Sequence, residues 1–149
     1  MNEKVFVDTD VLVYARDATE PQKQLRALEW MENLWRTRRG TISFQVLQEF
    51  YVTVTTKLDP GMEVPLARSD VRNLIAWGPV SIDAAILEGA WSLQDRYSVS
   101  WWDSLIVATA LRARCRFMIS EDLQDGQKLD DLTVVNPFVH APREILNPV

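Results

Sequence analysis

SWWDSLIVATALRARCRFMIS, residues 100–120, sets a helix-forming run and a strand-forming run back to back. Residues 101–112 are apolar on almost every side, which predicts a helix enclosed by protein rather than one lying on the surface. FMI (117–119) is a short apolar run with the look of a buried strand. A helix joined so closely to the strand beside it runs antiparallel to that strand, so the start of the helix and the end of the strand share one edge. Asp103, in the first helical turn behind two tryptophans, is thereby carried to that edge. The residue also has a simpler reading. Ser100 and Asp103 fit the capping-box spacing, in which a hydroxyl and a carboxylate satisfy orphan amides at a helix start, and the helix dipole favours the charge. The rest of the chain has to decide between the two.

The same alternation recurs on both sides. VFV (5–7) reads as a strand, followed after a turn by a helical pattern over 20–40, with Leu25, Leu28, Met31 and Trp35 on one face, Pro21 in its first turn and Gly40 at its end. TISF (41–44) is the next strand, and residues 45–58 place Val46, Phe50 and Val54 at helical spacing. DPGMEVP (59–65) is a turn-rich linker to a short helix, LARSDVRNLIAW, that Gly78 and Pro79 close. VSI (80–82) and a helix N-capped by Asp83 repeat the unit. Beyond FMI come a polar stretch, SEDLQDGQKLDDL (120–132), and a last strand, TVV (133–135). Alternating strands and helices predict an α/β fold with a short, mainly parallel sheet flanked by helices. At 149 residues and 47% hydrophobic content, one core and one domain spanning 1–149 are expected.

Composition removes several classes of chemistry. The apolar runs are too short and too often interrupted to cross a bilayer, and MNEKVFVDTD enters a strand-like run with no basic-then-apolar leader, so a cytoplasmic protein is expected. A single cysteine, Cys115, excludes an internal disulfide and reads as a core thiol. No histidine or cysteine cluster suits zinc, and the lone histidine, His140, lies in the proline-containing tail with no obvious partner. A serine or cysteine triad is therefore not expected. The formal net charge of −5 argues against a protein that coats nucleic acid, unless the acids are gathered around cations.

They are so gathered. Ligands of open parallel sheets bind outside the carboxyl ends of the strands. Asp8 follows VFV directly, Asp122 follows FMI by three residues, Glu49 lies early in the helix after TISF, and Asp103 reaches the same rim from its helix start. Each alone has an ordinary explanation: a cap for Asp8, a solvated side chain for Glu49, an Asx-turn for Asp122. Four carboxylates at one edge, with little basic charge nearby, repel one another and call for hard divalent cations such as Mg²⁺ or Mn²⁺. Asp10, Glu121 and Asp125 lie beside them as candidates for outer contacts or a second ion. Two such ions would offset most of the net charge and admit a phosphate-bearing substrate.

VFVDTDVLVYA, SFQVLQEFYV, SWWDSLIVATA and MISEDLQDG together resemble, in order and spacing, the motifs of PIN-domain ribonucleases, and above all the VapC toxins of bacterial and archaeal toxin–antitoxin pairs. The likeness runs from Val5 to about Pro137. It implies a Mg²⁺-dependent endoribonuclease with a short parallel sheet, usually a homodimer, held inactive by a cognate VapB-like antitoxin. It also implies that Asp8, Glu49, Asp103 and Asp122 form the catalytic and metal-binding constellation, with Asp8 and Asp103 the firmest ligands. Many relatives carry Asn where this chain has Asp10, which leaves the coordination shell open. Hydrolysis by a metal-activated water needs no histidine and leaves a 5′-phosphate.

RNA would also have to be held. Arg36, Arg38, Arg39, Arg112, Arg114 and Arg116 are candidate phosphate contacts, although both groups end helices, where basic side chains complement the dipole and face water. Trp101 and Trp102 could stack on bases, with at least one of them expected to anchor the helix start in the core. Two other functions compete. A haloacid-dehalogenase-like phosphatase would use Asp8 as nucleophile, with Lys128, Asp130 and Asp131 in later motifs, but it gives Glu49 and Asp103 no role. A non-catalytic module would use the acidic rim to bind a basic peptide.

Overall fold

VFV and FMI form strands largely buried on both faces, so each reads as an apolar run without alternation. In the computed structural model, which describes residues 3–146, the strands are β1 (Val5–Val7), β2 (Gly40–Thr41), β3 (Phe117–Ile119), β4 (Lys128–Leu129) and β5 (Leu132–Val135). The sheet order is β2-β1-β3-β5-β4, with all neighbours parallel except the β4–β5 hairpin. Val5, Phe6, Val7, Met118, Ile119 and Val134 are wholly shielded from solvent at its centre. The fold is α/β, as expected.

Among the described residues, seven α-helices surround the sheet: α1 (Thr9–Tyr14), α2 (Pro21–Thr37), α3 (Phe44–Val52), α4 (Val64–Ile75), α5 (Ala84–Arg96), α6 (Trp101–Arg112) and α7 (Pro142–Leu146), with a π-helical turn at Thr53–Lys57 extending α3. Every residue of α6 from Ser104 to Ala110 is buried, largely against α5, which explains its lack of a polar face. Its two interior hydroxyls return to the helix's own carbonyls, Ser104 to Ser100 and Thr109 to Leu105, both at 2.8 Å. Asp83 caps α5 through the Ile86 amide at 3.0 Å, and Val46, Phe50 and Val54 are buried at their helical spacing.

Several local expectations are corrected. The segment after β1 is not a turn but α1, formed because Val11 and Leu12 pack into the core while Asp8 caps it. On α2 the buried stripe is Ala27, Trp30, Met31 and Leu34; Leu25 is 70% exposed, and Leu28 and Trp35 are also exposed. The stripe turns because the Trp30 indole N–H finds the carbonyls of Pro137 and His140, at 3.1 and 3.0 Å, more than a hundred residues away. α2 is closed not by Gly40 but by Arg38, which follows its last residue and takes the left-handed conformation itself (φ 57°), leaving Gly40 to begin β2. TISF contributes only Thr41 to a strand, VSI forms a single bridge from Val80 to Ser43, and the polar stretch contains β4.

The carboxyl ends of β1, β2 and β3 open on one rim, where α1, α3 and α6 start. Cys115 is a buried thiol, with burial pushing its pKa up to about 11.

Candidate metal centre

Asp8 is nearly sealed from solvent, at 4% exposure. One carboxylate oxygen caps α1 by accepting the Thr9 amide at 2.7 Å, and the other accepts the Ser120 hydroxyl at 2.8 Å. Ser120, fully buried at the end of β3, in turn accepts the Asp122 amide at 3.1 Å, so one hydroxyl ties the β1 acid to the loop that carries the β3 acid. Asp10, two residues into α1, reaches the same loop: its Oδ2 accepts the Glu121 amide at 2.8 Å. Oxygens of Asp8, Asp10 and Asp122 consequently lie within 4.8 Å of one another.

Burial is the main cause of the raised pKa of Asp8, to about 6; the Ser120 and Thr9 hydrogen bonds oppose it, and the charges of Asp122 and Asp103 add to it. Burial, then the Asp8 charge, pushes Asp10 up to about 8. Asp122 is raised by burial and by Asp103 and Glu121. Glu49, which is more exposed, is raised by partial burial and by Asp103 and Asp122. Asp103 and Glu49 thus stand within electrostatic reach of the three close carboxylates, though outside the tight set. Ser100 caps α6 by accepting the Asp103 amide at 3.1 Å, while the Asp103 carboxylate itself takes no hydrogen bond among the described residues. The cap is therefore made by the serine, and the carboxylate is left free to face the rim.

A hard divalent cation fits these residues. The donors are all carboxylate oxygens, burial and then their mutual charge raise the pKa of several of them, and Asp10 Oδ1 is buried with no hydrogen-bond partner. Among the described residues none of Asp8, Asp10, Asp103 or Asp122 is neutralised by an ion pair.

The other acids at the rim have different work. Glu121 turns to Lys23, at 2.5 Å, and to the Tyr14 hydroxyl, at 3.1 Å. Asp125 accepts the Asn136 amide and the His140 ring, both at 2.8 Å, so it fastens the tail, and His140 has a partner after all. Asp10 was the residue least visible as a close member. Its signal was the one-residue gap in Asp8-Thr9-Asp10 once a helix begins at Thr9, since both side chains then sit on the same helix end.

The remaining candidates divide. Arg39 is buried and donates to the Glu3 and Leu146 carbonyls at 2.6 and 2.7 Å, so it is structural. Arg112 faces Asp83 at 3.6 Å. Trp101 packs on Trp91, ring centroids 6.2 Å apart, and anchors the start of α6, whereas Trp102 is 64% exposed. Asp130 sits in the β4–β5 turn at the opposite edge of the sheet from Asp8, held by Arg96, which removes the later motif that a phosphatase would need.

Comparison with known proteins is consistent with this geometry. A family model described as PIN domain matches residues 5–129. No curated protein matches significantly in sequence. A solved structure described as "Toxin-antitoxin complex from Klebsiella pneumoniae" superposes with a TM-score of 0.56 and 20% identity, covering 90% of this chain and 98% of that chain, and at that identity it speaks for the fold.

Proposed function

This chain belongs to the PIN domain family, and on that premise we propose that it is a Mg²⁺- or Mn²⁺-dependent endoribonuclease, the toxin of a VapBC-type pair acting in the cytoplasm. The observation that carries the reading is the knot of Asp8, Asp10 and Asp122 oxygens within 4.8 Å, further charged by Asp103 and Glu49. Asp8, Glu49, Asp103 and Asp122 are the proposed catalytic ligands, with Asp10 joining them. A bound divalent ion supplies an activated water nucleophile and takes up charge at the phosphate. The protein's part is to hold the ligands. Ser120 fixes Asp8 and the Asp122 loop, and the cap geometry of α1 aims Asp8 and Asp10 together.

The antitoxin is proposed from the description of the structural neighbour, a toxin–antitoxin complex. An arginine or lysine from such a partner would match the unpaired acids and inhibit by replacing the metal's charge. A homodimer is proposed from the exposed apolar side chains Val52, Leu66 and Ile75 on α3 and α4. No helix among the described residues is long and apolar enough to cross a membrane.

The test is cleavage of single-stranded RNA by purified protein. Activity should vanish in excess EDTA, return with Mn²⁺, and leave 5′-phosphate ends. Undiminished cleavage in chelator, or 2′,3′-cyclic phosphate products, would overturn the mechanism.

A further inference from the structure

Beside the acids, a cleft of about 650 Å³ opens between the first turns of α3 and α6, walled by Phe44, Gln45, Gln48, Ile82, Trp102 and, at its end toward the metal ligands, Glu49. A volume of this order suits a small organic group rather than a water site. Three features narrow what that group is. The lining holds no lysine or arginine, and its only ionisable side chain is Glu49, so a phosphate is disfavoured. Three of its apolar side chains are uncovered: Trp102 is 64%, Phe44 41% and Ile82 39% exposed, although the neighbouring Trp101 is packed and Trp30 wholly buried. Finally, the Gln45 carboxamide is shielded from solvent, with the Glu49 carboxylate one turn along α3 beside its N–H and no partner for its oxygen, an arrangement that costs free energy until a donor is supplied.

A nucleobase has this combination, with an apolar face for stacking and an edge that both donates and accepts hydrogen bonds. An apolar side chain from a protein would cover the tryptophan but leave the Gln45 oxygen unpaired. We propose that this cleft is a nucleobase subsite that takes one unpaired base of the RNA strand, stacked on Trp102 and bonded along its edge by Gln45 and Gln48, next to the phosphate held at the acids. The assignment rests on the endoribonuclease reading and adds a positional preference to it. Glu49, shared by the cleft and the acidic rim, sets the base beside the scissile phosphate. Trp102 immediately precedes Asp103 on α6, so the stacking platform and a metal ligand are carried by one rigid helical turn.

The experiment compares wild type, Trp102→Ala and Trp102→Phe, first by anisotropy with a short fluorescein-labelled single-stranded RNA of mixed sequence and no divalent metal, then by Mn²⁺-dependent cleavage of the same RNA and of copies carrying one abasic nucleotide at each position around the cut. Because Trp102 is mostly exposed, its replacement should leave thermal unfolding unchanged. Trp102→Ala should weaken binding and raise KM by roughly tenfold with kcat nearly kept, and Trp102→Phe should restore most of the loss. One abasic position should cost the wild type a similar factor and the alanine variant nothing, because that base no longer has its platform. Wild-type affinity and KM in Trp102→Ala, or an equal abasic penalty in both proteins, would overturn the subsite. RNA that binds in a Trp102-dependent way without being cut would support the subsite and overturn the nuclease reading. Absence of both binding and cutting would overturn both.

Discussion

Asp10 is the side chain in which the metal-free protein carries most strain of charge. Its Oδ2 is satisfied by the Glu121 amide, but its Oδ1 is buried and unpartnered beside Asp8, and its pKa is pushed up to about 8. Asp10→Asn keeps an oxygen for that amide and turns a donor toward the neighbouring acids. It should stabilise the metal-free protein by about 1–3 kcal/mol in chemical denaturation, shrink the stabilisation by Mn²⁺, and raise the Mn²⁺ concentration needed for half-maximal cleavage. A metal-free Asp10→Asn protein less stable than wild type would show that the acid is not repelled there. Asp103→Asn answers a different question. Since Ser100 makes the helix cap and the Asp103 carboxylate takes no hydrogen bond, the substitution should cost no stability, yet cleavage should fall by two or more orders of magnitude. A protein that melts lower and still cuts RNA at the wild-type rate would return Asp103 to a capping role. The arrival of Asp8, Asp103 and Asp122 at one rim was legible because strand ends and helix starts can be read from the chain. Ser120 was not, because a buried hydroxyl linking two loops has no sequence pattern.

The helix-to-strand joint after α2 shows how an element can look right and be closed by another residue. A glycine past a helical run reads as the C-cap, but the left-handed residue is Arg38 and Gly40 begins β2. Gly40 is needed for a different reason: a Cβ there would run into the Trp77 ring. The two roles predict opposite responses. Arg38→Gly should be neutral to stabilising by about 0.5–1 kcal/mol, since glycine adopts positive φ without steric cost. Gly40→Ala should destabilise by roughly 1–3 kcal/mol through overpacking, unless Trp77 is also truncated. Thermal melts of Arg38→Gly, Gly40→Ala and Gly40→Ala with Trp77→Leu check this, and rescue in the double variant is the decisive reading. The buried stripe of α2 was misplaced by the same kind of tertiary partner, the tail carbonyls that receive the Trp30 indole.

For the molecule as a whole, pH acts through the acids and through the tail. Asp8 and Asp10 titrate at about 6 and about 8 in the folded metal-free protein, against an ordinary 3.8. Across that window the folded state holds more protons than the unfolded chain, so stability is greatest at the acid end and falls as pH rises through it. His140, raised chiefly by its hydrogen bond to Asp125, has the same sign: its contribution is present below the free imidazole value and is lost as pH rises through the folded one. Melting temperature in EDTA should therefore decline from about pH 5 to about pH 8, and saturating Mn²⁺ should flatten or reverse the slope because the ion binds the ionised acids. His140→Gln should leave the EDTA slope due to the acids but speed amide exchange in the tail, residues 137–146. A melting temperature in EDTA that rises across this range would contradict the burial of the two acids.

What the chain determined by itself was local and periodic. Apolar runs, capping residues and turn signals marked most elements, and their alternation set an α/β fold whose strand ends and helix starts had to share a rim, carrying the acids there. Tertiary structure alone decided which acids came closest, because a few ångströms separate a ligand from a bystander and depend on side chains arriving from distant segments. Asp10 was drawn inward by the Glu121 amide, Glu121 away by Lys23, and Asp125 to His140. Hydrogen-bond partners more than ten residues apart leave no periodicity in the chain, and they chose among carboxylates that sequence spacing had left equivalent.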